Sequence, residues 1–182
     1  MATLPTLYPT STVSAGTWTD ESGGTTDLHL LVDETGAAGT DYIRTPTSGS
    51  PNDISFGITD TPSDFETMNS LSYEMRHSRG AVEAGDNGGG DDTWDLGVRV
   101  VTSTGGTLAA EAAGGQFTRI EIGTIGYLAK TETVAFPYVD LTATKADWDG
   151  ARLEVRGLFS QSMGNDGDRT WVDFVRLING DY

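Results

Sequence analysis

Cysteine is absent from the 182 residues, which removes disulfides, thiolate metal sites and cysteine nucleophiles. That absence leaves the compartment open, since many secreted proteins also lack cysteine. Basic residues are scarce: Lys and Arg total 11 against 27 Asp and Glu, for a net charge of -16. Such a chain repels phosphate backbones and anionic bilayers, so neither nucleic acid nor membrane is an expected partner. Charge of this size reads first as solubility and self-avoidance at high local concentration. Long apolar runs are missing, and no segment approaches the ~20 residues of a membrane-spanning helix. The opening MATLPTLYPTSTVSAG lacks the basic start and apolar run of a signal peptide. The expectation is a protein made inside a cell and, if it works outside one, released by another route.

Chemical signatures are also few. No Gly-x-Gly-x-x-Gly follows a strand, and P-loop and Gly-x-Ser-x-Gly motifs are absent. Histidine occurs twice, as His29 and His77. Neither has Ser, Asp or His at a spacing that suggests a triad or a metal site, so both read as surface or capping residues.

What the chain does have is alternation. DISFGI places Ile54, Phe56 and Ile58 on one face, and LSYEM groups Leu71, Tyr73 and Met75 against Ser72 and Glu74. TWDLGVRVV aligns Trp94, Leu96, Val98 and Val100, and RLEVRGLF aligns Leu153, Val155 and Phe159. Period two means strands with one buried face. WVDFVRLI is apolar on both faces, so this last strand is expected to be central or to cover an interface. TPTSGSPND, GDNGGGDD, STGG, AAGGQ and GNDGD supply the turns. The best helical turn is ATKADW, with Thr142 or Thr144 as N-cap. Roughly nine or ten strands without crossover helices predict an all-β fold, an antiparallel β-sandwich or jelly roll with at most one short helical turn.

Residues 1–17, rich in Thr, Ser and Pro, read as an extended arm preceding a sandwich domain over 18–182. The arm is either a frayed terminus or a strap on a neighbouring subunit. In the second case Leu4, Leu7, Tyr8 and Val13 are its candidate contacts. Trp18, Trp94, Trp148 and Trp171 are the expected fold anchors, each ring contributing roughly 2–3 kcal/mol on burial. In ADWDG, Asp147 and Asp149 favour an exposed turn while Trp148 folds under it, and Gly150 turns the chain into the next strand.

Three kinds of site stay open at this level. A glycosidase needs two carboxyl groups facing each other across a cleft, and Glu74, Glu121 and Glu154 sit on expected strands. Arg152 and Arg156 flank Glu154, and Arg119 lies near Glu121, so ion-pair ladders on a solvated face are the simpler reading. Calcium could use Asp86, Asn87, Asp91 and Asp92, or Asn165, Asp166 and Asp168. Neither loop has the twelve-residue calcium pattern, and both compositions are ordinary in hairpin turns. A sugar platform could use Tyr42, Tyr127, Tyr138 or Trp94.

The order of segments carries a resemblance. GTWTDESGGTTDLHLLVDE, TDYIRTP, DISFGITDTP, LSYEMRHSRG, WDLGVRVV, ADWDGARLEVRG and RTWVDFVRLI follow one another from Trp18 to Ile178. This order resembles the small jelly-roll proteins of tailed bacteriophages, with a concanavalin-like or carbohydrate-module-like sandwich. The resemblance implies a virion component rather than an enzyme, without cofactor. It implies a head decoration (cement) protein on the capsid exterior, assembled in the host cytoplasm. Its partners would be the major capsid protein and copies of itself, as a trimer in some such proteins. The alternative it implies is a tail- or fibre-associated or carbohydrate-binding module that meets a host surface glycan.

Overall fold

Side-chain alternation becomes two layers. The computed structural model describes residues 2–33, 42–45, 52–80, 93–122, 130–160 and 169–182. Its elements are β1 (Pro9–Ser14), a 3-10 turn (Leu28–Leu31), β2 (Ile43–Arg44), β3 (Asn52–Ile58), β4 (Ser70–Gly80) and β5 (Thr93–Val101). There follow β6 (Thr107–Ala110), β7 (Thr118–Ile122), β8 (Lys130–Ala135), β9 (Tyr138–Val139), α1 (Lys145–Asp149), β10 (Arg152–Ser160) and β11 (Arg169–Asp181). One sheet has seven strands in the order β1-β3-β10-β5-β6-β9, with β7 also on β5; the other has four, β2-β11-β4-β8. Every strand pairing among the described residues is antiparallel. The fold is an antiparallel β-sandwich, as the alternation predicts. The extra strands are the two-residue β2 and β9, too short to leave a periodic signal.

The core lies between the sheets. Ile54, Phe56, Leu96, Val98, Val100, Leu153 and Val155 of the larger sheet join one buried cluster with Leu71, Tyr73, Met75, Val172, Val175 and Leu177 of the smaller. Strand β11 runs between β2 and β4, which explains its apolar character. A register shift between Val172 and Phe174 breaks its period. Val172, Val175 and Leu177 then pair opposite the inward residues His77, Met75 and Tyr73. Trp171 and Phe174 take the outer face, where Arg44 lies 5.6 Å from the Trp171 ring and Arg176 4.8 Å from the Phe174 ring.

The N-terminal residues do not form a separate arm. Ala2 and Tyr182 exchange backbone hydrogen bonds of 2.9 and 3.0 Å, and Leu7 and Leu177 exchange two of 3.0 Å. Strand β1 then pairs with β3 at the edge of the larger sheet. Leu4 and Leu7 are buried within this chain's own core, Tyr8 is half-buried, and Val13 is exposed. The two leucines expected to contact a neighbour are withdrawn because the sandwich offers them an apolar slot beside β11. Thr, Ser and Pro in a short segment suggested a loose terminus, and backbone pairing overrides that signal.

The ADWDG turn is a five-residue helix with Thr144 as N-cap. Asp147 accepts the Thr144 N–H at 2.9 Å and its hydroxyl at 2.6 Å, forming a capping box. Asp149 reaches across to residues 59–65: it accepts the Thr61 N–H at 3.1 Å, the Thr61 hydroxyl at 2.6 Å and the Lys145 ammonium at 2.7 Å. Burial works to raise the Asp149 pKa, but Lys145 and Thr61 outweigh it and hold the carboxyl below its ordinary value. Between these two aspartates Trp148 is fully buried, 6.3 Å from the Phe65 ring centre. Trp18 is also fully buried and Trp171 nearly so, whereas the Trp94 side chain lies outside the described residues.

Trp148→Ala should destabilise the fold by roughly 3–5 kcal/mol in equilibrium urea unfolding. A loss below ~1 kcal/mol would mean that the ring packs against little. Deleting residues 2–8 should lower the unfolding midpoint as well, because it uncovers the slot beside β11.

Candidate functional site

The outer face of the larger sheet carries a row of charged residues beside a cleft. The inner face fixes its register. With Leu153 and Val155 turned inward, Glu154 and Arg156 must point out, and with Leu96 and Val98 inward, Gly97 and Arg99 must point out. Arg156 pairs with Asp53 of β3 on one side and Gly97 of β5 on the other, and Gly97 pairs in turn with Arg119 of β7. A row Asp53, Arg156, Gly97, Arg119 therefore crosses four strands. Adjacent strands lie ~4.8 Å apart, so the two arginines stand about 10 Å apart at their Cα atoms, over a glycine.

Phe117 fills the place of the missing side chain. A Cβ on Gly97 would come within 2.6 Å of the Phe117 Cβ, so only glycine admits the ring here. The Arg99 guanidinium lies 4.4 Å from the ring centre and that of Arg156 4.2 Å. Each such cation–π contact contributes about 0.5–2 kcal/mol, depending on desolvation. The guanidinia are fixed at their other ends. Arg99 Nε donates to Glu154 at 2.7 Å and its Nη1 to the Gly115 carbonyl at 2.8 Å. Arg156 makes a two-pronged contact with Asp53, Nε to Oδ1 at 2.5 Å and Nη2 to Oδ2 at 2.7 Å. That hydrogen bonding raises the Arg156 pKa against the effect of burial, keeping it charged.

These groups border a cleft of about 790 Å³ lined by Arg99, Glu111, Gly114, Gly115, Gln116, Phe117, Arg119 and Arg156. Its rim is the turn between β6 and β7. Gly115 adopts φ +78, and a Cβ there would stand 2.8 Å from the Thr107 hydroxyl, so the turn closes only with glycine. Gln116 and Glu111 are exposed on this rim. A volume of this order lies within the range of pockets that hold small organic ligands.

The carboxylates expected for hydrolysis do not assemble. Glu74 points out from the smaller sheet and is bound to Arg176 at 2.7 Å, while Glu154 points out from the larger sheet and is bound to Arg99. The whole sandwich stands between them, so these two do not face each other across one cleft as a glycosidase pair does. The ladder expected around Glu154 exists, but its cation is the cross-strand Arg99, because Arg152 and Arg156 are neighbours along β10 and Arg156 turns to Asp53. The Glu121 side chain lies outside the described residues, as do Asp86, Asn87, Asp91, Asp92, Asn165, Asp166, Asp168 and Tyr127. Among the described residues no three carboxylate or imidazole groups form a metal site, and no helix is long and apolar enough to cross a membrane.

The remaining candidates are scattered. Tyr42 packs edge-on to Trp171 on the smaller sheet, their centroids 3.9 Å apart, whereas Tyr138 lies on β9 at the far edge of the larger one. His29 anchors the 3-10 turn: Thr12 Oγ1 accepts its backbone N–H at 2.9 Å and contacts its ring Nδ1 at 3.2 Å. His77 is not at the surface. It continues the inward series Leu71, Tyr73, Met75 on β4 and is 4% exposed. Its Nε2 lies 3.5 Å from Glu132, too long for a good hydrogen bond. Burial lowers the His77 pKa against the opposing pull of Glu132, with Lys130 nearby adding to the lowering. The parity of β4 carries this placement; the short motif EMRHSRG hides it.

In the sequence Gln116 stands only as the end of the turn AAGGQ, and Phe117 is not singled out. The available signal was Gly97, a glycine in the middle of an alternating strand, which marks close approach by another group.

No family model matches the chain, and no curated protein is similar to it. Similar solved structures include tailspike protein 4 of bacteriophage CBA120, an enzymatically active domain, at 12% identity and TM-score 0.45, covering 94% of this chain and 18% of that one. The insecticidal delta-endotoxin Cry8Ea1 of Bacillus thuringiensis matches at 12% identity and TM-score 0.41, over 88% of this chain and 23% of its own. A carbohydrate-binding module specific for non-crystalline cellulose, CBM28, matches at 12% identity and TM-score 0.41, over 94% of this chain and 96% of its own. The chain thus spans less than a quarter of the tailspike and endotoxin chains and nearly all of the CBM28 module. The site's chemistry rests on its own geometry.

Gly97→Ala should cost about 1–3 kcal/mol through overpacking and shift the Phe117 ring resonances in NMR spectra. An unchanged stability and spectrum would show that the ring does not depend on the glycine. His77 gives a pH effect of defined sign. Unfolded chains take up this proton near pH 6.5, and the folded chain resists it. Its stabilising share is therefore complete above that pH and is lost as pH falls toward the lower folded value. Urea midpoints between pH 7.5 and 5.5 should fall less in His77→Gln than in the wild type.

Proposed function

We propose that this protein is a non-catalytic carbohydrate-recognition sandwich, carried on a phage tail or fibre. The observation that carries the reading is the cleft over Gly97. Its Arg99 and Arg156 are held in place by Phe117, Glu154 and Asp53 before any ligand arrives. Donors fixed in advance lose little entropy on binding, which suits recognition of hydroxyl-rich ligands. Gln116 adds an amide that both donates and accepts, and Glu111 adds an acceptor. The mechanism is hydrogen bonding from the two sides and rim of the cleft. The phage setting draws on the order of sequence segments from Trp18 to Ile178.

The head-decoration reading drew on the same order of segments and used an N-terminal strap for part of its capsid contact. With Leu4 and Leu7 inside the sandwich, that part of the contact is not available, and the tail or glycan reading is preferred.

A glycan array followed by calorimetry tests the proposal. The wild type should bind a defined glycan set without hydrolysing it, and Gln116→Ala should weaken binding about tenfold, equal to 1.4 kcal/mol. Absence of glycan binding, or equal affinity of the variant, would overturn it. Release of reducing ends would make the protein an enzyme instead.

A further inference from the structure

We propose that the edge of the sandwich built by residues 2–14 and 28–32 is the face through which two copies of this chain pair. A gap in the charge points to it. Charged residues make up 21% of the chain, yet residues 1–19 contain none. The next longest such stretch, residues 100–110, is little more than half as long. Residues 28–32 hold no Asp, Glu, Lys or Arg either, and Asp20, Asp27 and Asp33 stand only at the ends of the two segments.

The fold lays both segments along one edge. Residues 3–7 bridge to β11 of the smaller sheet, and β1 then borders the larger sheet through its pairing with β3. The 3-10 turn closes the side between them. The His29 N–H donates to the Thr12 hydroxyl at 2.9 Å, and the Val32 carbonyl accepts the Val175 N–H at 3.3 Å. This uncharged strip is open to solvent. Among the described residues three large apolar side chains are exposed, and two of them stand here, Val13 at 45% and Leu30 at 57%. Thr12 and His29, bonded to each other, precede them in sequence. Thr10, Ser11 and Ser14 are exposed beside Val13, and such short side chains lose little rotamer freedom on burial.

Charge selects the occupant. A basic partner would dock on the acidic faces, where its cations meet carboxylates, and would gain no such pairing here. A second copy meets the opposite condition. Each copy carries a net charge of -16, so contact through the acidic faces sets like charge against like. Two uncharged strips meet without that local repulsion, and depletion of charge is the compositional mark of an interface centre. Repulsion between the remaining parts of the two copies is screened beyond ~8 Å at physiological salt. The contact is isologous: the strip of one copy lies on the strip of the other, and a two-fold axis closes the pair. Strands β3 and β10 separate this edge from β5 and the cleft over Gly97, so pairing leaves both clefts open. Under the carbohydrate reading above, two clefts on one particle then act together on a repetitive ligand.

Analytical ultracentrifugation of the full chain tests the proposal. It should show a monomer–dimer equilibrium in which added salt strengthens the dimer, because salt screens the repulsion between acidic copies and takes nothing from an uncharged contact. Val13→Lys and Leu30→Lys should each weaken the dimer at least tenfold while leaving the thermal midpoint within a few degrees. Both substitutions reduce the overall negative charge, so loss of the dimer would not come from greater repulsion between whole copies. Leu141→Lys changes the third exposed apolar residue, which follows β9 at the opposite end of the larger sheet, and should leave the dimer unchanged. A chain that stays monomeric up to about 1 mM overturns the proposal, and so does an oligomer other than a dimer. A dimer that salt weakens overturns it as well, since its contact would be ionic. A dimer that survives both Val13→Lys and Leu30→Lys, or that only Leu141→Lys removes, overturns the assignment to this edge.

Discussion

A one-residue slip of β10 would turn Arg152, Glu154 and Arg156 into the interior and carry Leu153 and Val155 out to solvent. The inward apolar set therefore fixes the register, and the register fixes the cleft. Leu153 lies opposite Phe56 and Val100, and Val155 opposite Ile54 and Val98. Once those rows close, Arg156 is bound to fall between Asp53 and Gly97, and Glu154 opposite Arg99. The hydrophobic interior and the charged exterior are two results of one alignment.

The same economy appears around the second buried tryptophan. Two aspartates bracket Trp148 for different reasons: Asp147 caps the helix that presents the ring, while Asp149 binds the loop that covers it. The chain ends are tied in as well, since residues 2–8 hydrogen-bond along β11. The smaller sheet thus gains an extra layer of backbone pairing beside its central strand, and the N-terminal leucines join the common core.

Arginine recurs over outward-facing aromatics on both sheets: over Phe117 in the cleft, and over Trp171 and Phe174 on the smaller sheet. In a chain of strong negative charge this arrangement covers apolar rings that the strand period leaves outside. Around Phe117 it goes further, because two guanidinia meet a single ring beside a third arginine.

The all-β sandwich, the burial of Trp148 beneath its turn, and the central place of WVDFVRLI were legible in the sequence. Each depends on side-chain period or local capping, and those are written over a few consecutive residues. The inward placement of His77 was also there, in the parity of its strand, beneath a misleading polar neighbourhood. The sequence alone did not determine which strands lie side by side. Arg99, Phe117, Arg119 and Arg156 come from β5, β7, β10 and the turn before β7, and Gly97 is the centre only because β7 and β10 flank the same strand. The fate of Leu4 and Leu7 was decided in the same way, by a slot that forms only after β11 is in place. Long-range pairing is settled by the summed burial of whole faces, and no short segment carries that sum.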